Sequence, residues 1–251
     1  MNVSTPTLVL LPGTLCDMRV WQPVAERLDP QWRKQFVDFG ALDCVEAMAE
    51  RALSVTTGLL LPTGVSMGGM VALEMWRLAP ERIAGLALFD TNPRADTEAK
   101  RRARKQQLDQ ARLAGDNGLQ AVVRSHLLPS YFPRAVSPVV EATVLAMAAD
   151  AGLTTFVKQS AALASRIDYW PLLSCIQKPV LVACGEFDTL CPPAQHRQMA
   201  AQLAQAQFRL IGEAGHLAPL EQPSQTAAIL QEWIASIGGR FQAQAAEDAR
   251  V

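Results

Sequence analysis

The pentapeptide Gly64-Val65-Ser66-Met67-Gly68 constrains the possible folds of this chain more than any other stretch. It is entered from the apolar run Leu59 to Leu61 and leads into the helical pattern of Met70 to Leu78, so it must be built as a strand, a sharp turn and a helix. In a G-x-S-x-G turn of that kind, small neighbours tolerate a strained backbone that holds the serine hydroxyl at the tip and leaves the next amide facing outward. Outside that setting the same pattern is a glycine-rich loop that packs a helix closely on a strand.

Serine chemistry also needs a base to take the hydroxyl proton and an acid to orient the base. The run Pro179 to Cys184 reads as a buried parallel strand, and Gly185-Glu186-Phe187-Asp188 follows it, which makes Asp188 the expected acid. A second strand-like stretch, Gln207 to Ile211, ends in Gly212-Glu213-Ala214-Gly215-His216, which puts an imidazole on a glycine-punctuated loop. His216 is the expected base.

The stretches Leu8-Val-Leu-Leu-Pro-Gly-Thr14, Gly64-Val-Ser-Met-Gly-Gly69, Gly185-Glu-Phe-Asp188 with Pro192 and Pro193, and Gly215-His-Leu-Ala-Pro-Leu-Glu-Gln-Pro223 together resemble the α/β-hydrolases. The order Ser66, Asp188, His216 is also theirs. Within the superfamily the chain is similar to small bacterial carboxylesterases of the methyl-esterase, enol-lactonase and thioesterase kind. The resemblance implies an α/β fold with a mostly parallel sheet, helices on both faces and a helical lid. It implies a carboxylic ester hydrolase with a Ser66-His216-Asp188 triad and an acyl-enzyme, in which the Thr14 and Met67 amides form the oxyanion hole. This chemistry calls for no metal or organic cofactor. Thioester, lactone and carbon–carbon bond hydrolysis use the same parts. A serine at the turn argues against the branches that attack with aspartate there.

Three stretches depart from the family pattern. Pro12-Gly13-Thr14-Leu15 stands where relatives usually have His-Gly after the first strand. Pro62 falls just before the turn, where a central strand needs its ladder donors, so the strand is expected to have ended. Phe39-Gly40-Ala41-Leu42-Asp43 replaces an Asp-x-x-Gly-x-Gly turn and reads as an altered surface loop without catalytic weight. A rival acid stays open: Asp90 ends the preceding core strand, a position from which some α/β-hydrolases take theirs, although the Gly-x-x-Asp setting of Asp188 is the commoner arrangement.

Strand patterns at Leu8 to Leu11, Gln35 to Asp38, Leu59 to Leu61 and Ile83 to Phe89 alternate with helical ones at Trp21 to Leu28, Cys44 to Leu53 and Gly69 to Leu78, the alternation of a parallel sheet. From about Asn92 to Trp170 the strand signal vanishes. Helices are expected at Asp96 to Ala114, Leu119 to Leu127, Pro138 to Ala149 and Leu153 to Ala164, with breaks at Gly115 to Gly118, Pro129 to Pro133 and Ser137-Pro138. The chain thus divides into a core of residues 1–91 and 171–240, a lid of 92–170 and a flexible tail of 241–251. The last helix is expected from Ser224 to Ile237, stopped by Gly238-Gly239.

Composition narrows the partners. A formal net charge of −1 gives no electrostatic footprint for nucleic acid, and uninterrupted apolar runs of a few residues are far too short to cross a bilayer. No basic stretch leads into an apolar one at the amino terminus, so a cytoplasmic location is expected. Five cysteines without CxxC spacing suggest free thiols, and Cys16 and Cys191 read as small buried hydrophobes near the site. Leu15, Leu127, Leu128, Tyr131, Phe132, Met147, Trp170 and Leu217 are candidates to line an apolar substrate pocket or to join the lid to the core. The basic run Lys100 to Lys105, with Arg101, Arg102, Arg104 and Lys105, is either a docking face for an acidic carrier protein or anionic substrate, or a solvated helix face. His126 and His196 have no accompanying motif. A ligand-binding protein without turnover is the alternative from another class.

Overall fold

The computed structural model describes residues 5–248, with side chains as far as Gly238. Six strands, β1 (Thr7–Leu11), β2 (Lys34–Phe36), β3 (Leu60–Val65), β4 (Leu86–Phe89), β5 (Val180–Gly185) and β6 (Ala206–Ile211), form one sheet in the order β2-β1-β3-β4-β5-β6. Every pairing is parallel. Strand alternation divides the core between the two faces. Leu8 and Leu10 of β1 pack with Trp21, Val24 and Trp233, whereas Val9 and Leu11 pack with Met48, Val71 and Leu73. A sheet buried on both sides needs apolar residues at successive positions, which is why these strands read as continuous runs.

The helices are α1 (Gln22–Ala25), α2 (Val45–Ser54), α3 (Met67–Leu78), α4 (Glu98–Leu113), α5 (Gly118–Val122), α6 (Leu128–Tyr131), α7 (Pro138–Ser165), α8 (Pro193–Gln202), α9 (Ala218–Glu221) and α10 (Pro223–Asp248). Between β4 and β5 the chain adds no strand and is helical, as expected. The first helix is shorter than Trp21 to Leu28, although turn hydrogen bonds continue as far as Leu28 N–H to Val24 O at 3.2 Å. In α7 the two expected lid helices meet at Gly152, whose φ of 76° and ψ of 170° break the helical path.

Three expectations are corrected. Strand β3 does not end before Pro62 but runs through it to Val65. Leu60 O accepts the Ala84 amide, so Pro62, two residues on, points its nitrogen to the β4 side, where pairing jumps from Leu60–Ile83 to Thr63–Ala87. The missing donor falls in that gap. Pro129 does not break the lid either. A π-helical turn at Val123–Leu127 leads directly into α6, where Pro129 sits in the first turn and needs no donor, and the break comes after Tyr131. Finally, α10 continues past Gly238-Gly239 to Asp248, into the segment expected to be a tail. A glycine stops a helix by going left-handed, and Gly238 is not among the positive-φ glycines.

Candidate active site

The strand order reverses at β1, which is followed in space by β2 on one side and β3 on the other. In a parallel sheet the crevice at the carboxyl ends of strands beside such a reversal is the natural ligand site. The loop after β1 carries Thr14, and the turn after β3 carries Ser66 and Met67. Thr14 Oγ1 lies 3.8 Å from Met67 Sδ, so the two segments touch.

Ser66 has φ 54° and ψ −115°, the strained conformation expected of the turn. It is held from several sides: its N–H donates to Phe89 O at 2.9 Å, and its carbonyl accepts from Thr91 Oγ1 at 2.6 Å and Gly69 N–H at 3.0 Å. The glycines are required by space. A Cβ on Gly64 would lie 2.1 Å from Gly68 O, and one on Gly68 would lie 2.2 Å from Leu11 O.

β5 and β6 bring the other two residues to the same edge. His216 Nε2 is 2.9 Å from Ser66 Oγ, and its Nδ1 is 2.9 Å from Asp188 Oδ2. The second Asp188 oxygen accepts the Leu190 and Cys191 amides, each at 2.9 Å. The ring of Tyr131 stacks on His216 at 5.1 Å, and Tyr131 O accepts the His216 amide at 2.9 Å. Glu221 clamps the loop from below, its two oxygens accepting the Gly215 and Leu217 amides on either side of His216, each at 2.9 Å. Sequence reading missed Glu221, although it falls within the quoted Gly215 to Pro223 motif.

Asp90 is buried close by but does not reach the imidazole. Its oxygens accept the Gly185 amide at 2.8 Å and the Ala218 amide at 3.2 Å. Burial, and then the neighbouring Asp188 charge, push its carboxyl well above the usual carboxylate range.

The loop after β1 has an unexpected anchor. Leu15 has φ 56°, and its N–H donates to Gln159 Oε1 of α7 at 2.8 Å. Gln159 Nε2 donates to Gly40 O at 3.2 Å, so this buried amide ties the helical insertion both to the Thr14 loop and to the Phe39–Gly40 turn.

Over Ser66 lies a cavity of about 160 Å³, bounded by Thr14, Met70, Leu127, Tyr131, Phe156 and Leu163 and, on α4, by Lys100 and Arg104. Of the residues expected to line it, Leu127 and Tyr131 do. Leu15, Leu128, Met147 and Leu217 are instead buried in the core, Phe132 packs edge-on to Tyr131, and Trp170 lies beneath the Arg94 guanidinium at 3.8 Å. Cys191 is buried and also lines the cavity, whereas Cys16 is half-buried with Sγ 3.5 Å from Thr14 O. The Asp188, Cys191 and His216 ligand atoms lie within 4.8 Å of one another, but the Asp188 oxygens and both His216 nitrogens are already hydrogen-bonded.

His196 is structural and pH-sensitive. Its Nε2 accepts the Thr91 amide at 3.0 Å while Nδ1–H donates to Pro192 O at 3.3 Å, a pattern that requires the neutral ring. Burial lowers its pKa to about 4. The unfolded chain takes up this proton below roughly pH 6.5 and the folded one only near pH 4, so stability is full above pH 6.5 and falls as pH drops toward 4. Denaturant melts should show about 2 kcal/mol of this loss between pH 7 and pH 5, missing in His196→Gln. Equal pH slopes in the two proteins would contradict it.

Comparison with known proteins identifies the family. Residues 29–223 match the alpha/beta hydrolase fold family. A pimeloyl-[acyl-carrier protein] methyl ester esterase of Photobacterium profundum is 26% identical over 90% of this chain and 94% of its own. The bifunctional biotin biosynthesis protein BioHC of Cellvibrio japonicus is 24% identical over 92% of this chain, which spans about half (48%) of that protein's length. Among solved structures, a thermophilic esterase from Thermogutta terrifontis with malate bound superimposes with a TM-score of 0.82 at 27% identity, covering 93% of this chain and 91% of that one.

Proposed function

Because the chain belongs to the alpha/beta hydrolase fold family, we propose that it is a serine hydrolase that cleaves a carboxylic ester of a small or medium-sized molecule through an acyl-enzyme. The carrying observation is the hydrogen-bonded line that runs from Ser66 Oγ, a residue lining the cavity, through His216 to Asp188. With Nδ1–H held by Asp188, the Nε2 lone pair faces Ser66 Oγ and takes its proton as the hydroxyl attacks the ester carbonyl. The Thr14 and Met67 amides stabilise the tetrahedral oxyanion. His216 then protonates the departing alcohol, and water repeats the sequence on the acyl group. Named esterases among the relatives support this reading.

The test is intact-mass labelling with a fluorophosphonate, paired with turnover of a p-nitrophenyl ester series. One adduct per chain and saturable turnover are expected. Folded protein that neither labels nor turns over would overturn the reading and favour a ligand-binding protein.

The Gln159 anchor yields a second expectation. Without its acceptor the Leu15 amide is unsatisfied, and the adjacent Thr14 amide is free to drift from the oxyanion. Gln159→Leu should lower kcat toward the roughly hundredfold loss typical of a missing oxyanion donor, with KM little changed. Steady-state kinetics alongside thermal melts check this; a melting shift with unchanged kcat would make the residue structural only.

A further inference from the structure

We propose that the cavity contains an anion subsite formed by Lys100 and Arg104, and that the preferred substrates are esters carrying a carboxylate, such as half-esters of dicarboxylic acids. This rests on Ser66 being the nucleophile and specifies what that site accepts.

The inner face of α4 carries the argument. Lys100, Ala103, Arg104 and Gln107 recur at helical spacing, and all four line the cavity that also contains Ser66 and Thr14. Helical geometry thereby splits the basic run in two. Arg101 and Arg102 point outward and pair with Glu98 at 3.5 and 3.3 Å, and Lys105 pairs with Asp109 at 3.0 Å. These are exposed pairs that neutralise one another on the helix surface. The cations turned inward are balanced differently.

Asp96, fully buried, is the one acid on this wall, and two arginines share it: Arg104 Nε at 2.6 Å and Arg166 Nη1 at 2.8 Å. Arg166 is otherwise committed, with Nε donating to Arg94 O at 3.0 Å. Arg104 spends only Nε on Asp96, and among the described residues no acceptor faces its two terminal nitrogens. Lys100 Nζ has no acidic partner among the described residues either. Three cations against one carboxylate leave the wall positive, and the unused donors are a guanidinium edge and an ammonium one helical turn apart. That pair suits a carboxylate, which an arginine edge can bind through two parallel hydrogen bonds. The lining residues Leu127, Tyr131, Phe156 and Leu163 are mostly apolar and suit a hydrocarbon spacer between the anion and the ester.

The test compares kcat/KM for monoethyl and diethyl esters of succinate, glutarate and adipate, which differ in whether the far end is charged. The wild type should favour at least one half-ester over its diester. Lys100→Glu should reduce that ratio by about 10- to 100-fold, the range expected for losing a hydrogen bond to a charged group. Arg112→Glu makes the same charge change on the exposed side of α4 and should leave the ratio alone. A binding readout that needs no turnover, calorimetric titration with adipate, should give saturable binding that Lys100→Glu removes. An unchanged ratio, or equal effects of the two reversals, would overturn the subsite while continued p-nitrophenyl ester turnover left the hydrolase reading standing. Tighter competition by butyl phosphate than by a carboxylate of equal length would overturn the carboxylate assignment. Absence of ester turnover by the folded wild type, with adipate binding intact and removed by Lys100→Glu, would instead overturn the hydrolase reading and with it the ester preference, leaving the anion subsite.

Discussion

Ser66→Ala should lower ester turnover by roughly 10⁴- to 10⁶-fold and abolish fluorophosphonate labelling, the scale of loss when a triad nucleophile is removed. The substitution is close to a pure deletion of the hydroxyl. The strained turn is set by backbone bonds to Phe89 O and from Thr91 and Gly69, and by the absence of side chains at Gly64 and Gly68, none of which the substitution touches. Alanine at φ 54° bears the same steric strain as serine, so the folded structure should persist, with stability changed by less than about 1 kcal/mol. That separation makes the result informative: a melting profile like the wild type's, no adduct, and near-complete loss of turnover with no rise in KM. Turnover within tenfold of wild type would mean that Ser66 Oγ is not the attacking atom. Saturable ligand binding by a wild type that shows neither turnover nor labelling would point instead to a binding protein.

Local signals made much of this site legible and long-range ones did not. Ser66, Asp188 and His216 each follow an apolar strand through a glycine-marked turn, and a parallel sheet collects such turns at one edge, so three distant loops can be placed together without knowing a single contact. Pro62 misled because a missing donor matters only on the side where the ladder is continuous, and the gap opposite it arises from the register of β4. Gln159 was invisible for a related reason: its partners are 144 and 119 residues away, and an amide in an apolar helix carries no signature of which loop it will meet. The pocket lining fared worst. Large apolar residues of the insertion are needed both to glue it to the core and to line a cavity, and Leu128 and Trp170 show that the first demand takes many of them. The basic run could have been divided by helical periodicity alone, since residues 100 and 104 share a face that 101, 102 and 105 do not. What periodicity could not supply is which face the fold turns inward.

Asp188→Asn should lower kcat by about 10⁴-fold, while Asp90→Asn should leave kcat within about tenfold of wild type. The two carboxyls are neighbours at the ends of adjacent strands, but their hydrogen bonds differ in kind. Asp188 Oδ2 accepts a hydrogen bond from His216 Nδ1–H at 2.9 Å, and its other oxygen is fixed by two backbone amides, so it determines which His216 nitrogen carries hydrogen. An asparagine there offers an amide in one of its two orientations and a weaker acceptor in the other, and either weakens the tautomer in which Nε2 faces Ser66. Asp90 binds only the Gly185 and Ala218 amides, which join β5 to the segment after His216. Burial already favours its protonated form, which an asparagine side chain resembles in shape, and asparagine tolerates the φ of 45° found there. Its cost should therefore appear as about 1–3 kcal/mol of stability from one amide left poorly satisfied. The sign with pH also separates the pair. A folded carboxyl held above its unfolded pKa contributes stability at low pH that is lost as pH rises through the folded value, so Asp90→Asn should regain ground on the wild type as pH increases. Turnover and denaturant melts of both variants decide the matter, and an Asp90→Asn protein that is folded but inactive, beside an active Asp188→Asn, would transfer the acid's role to Asp90.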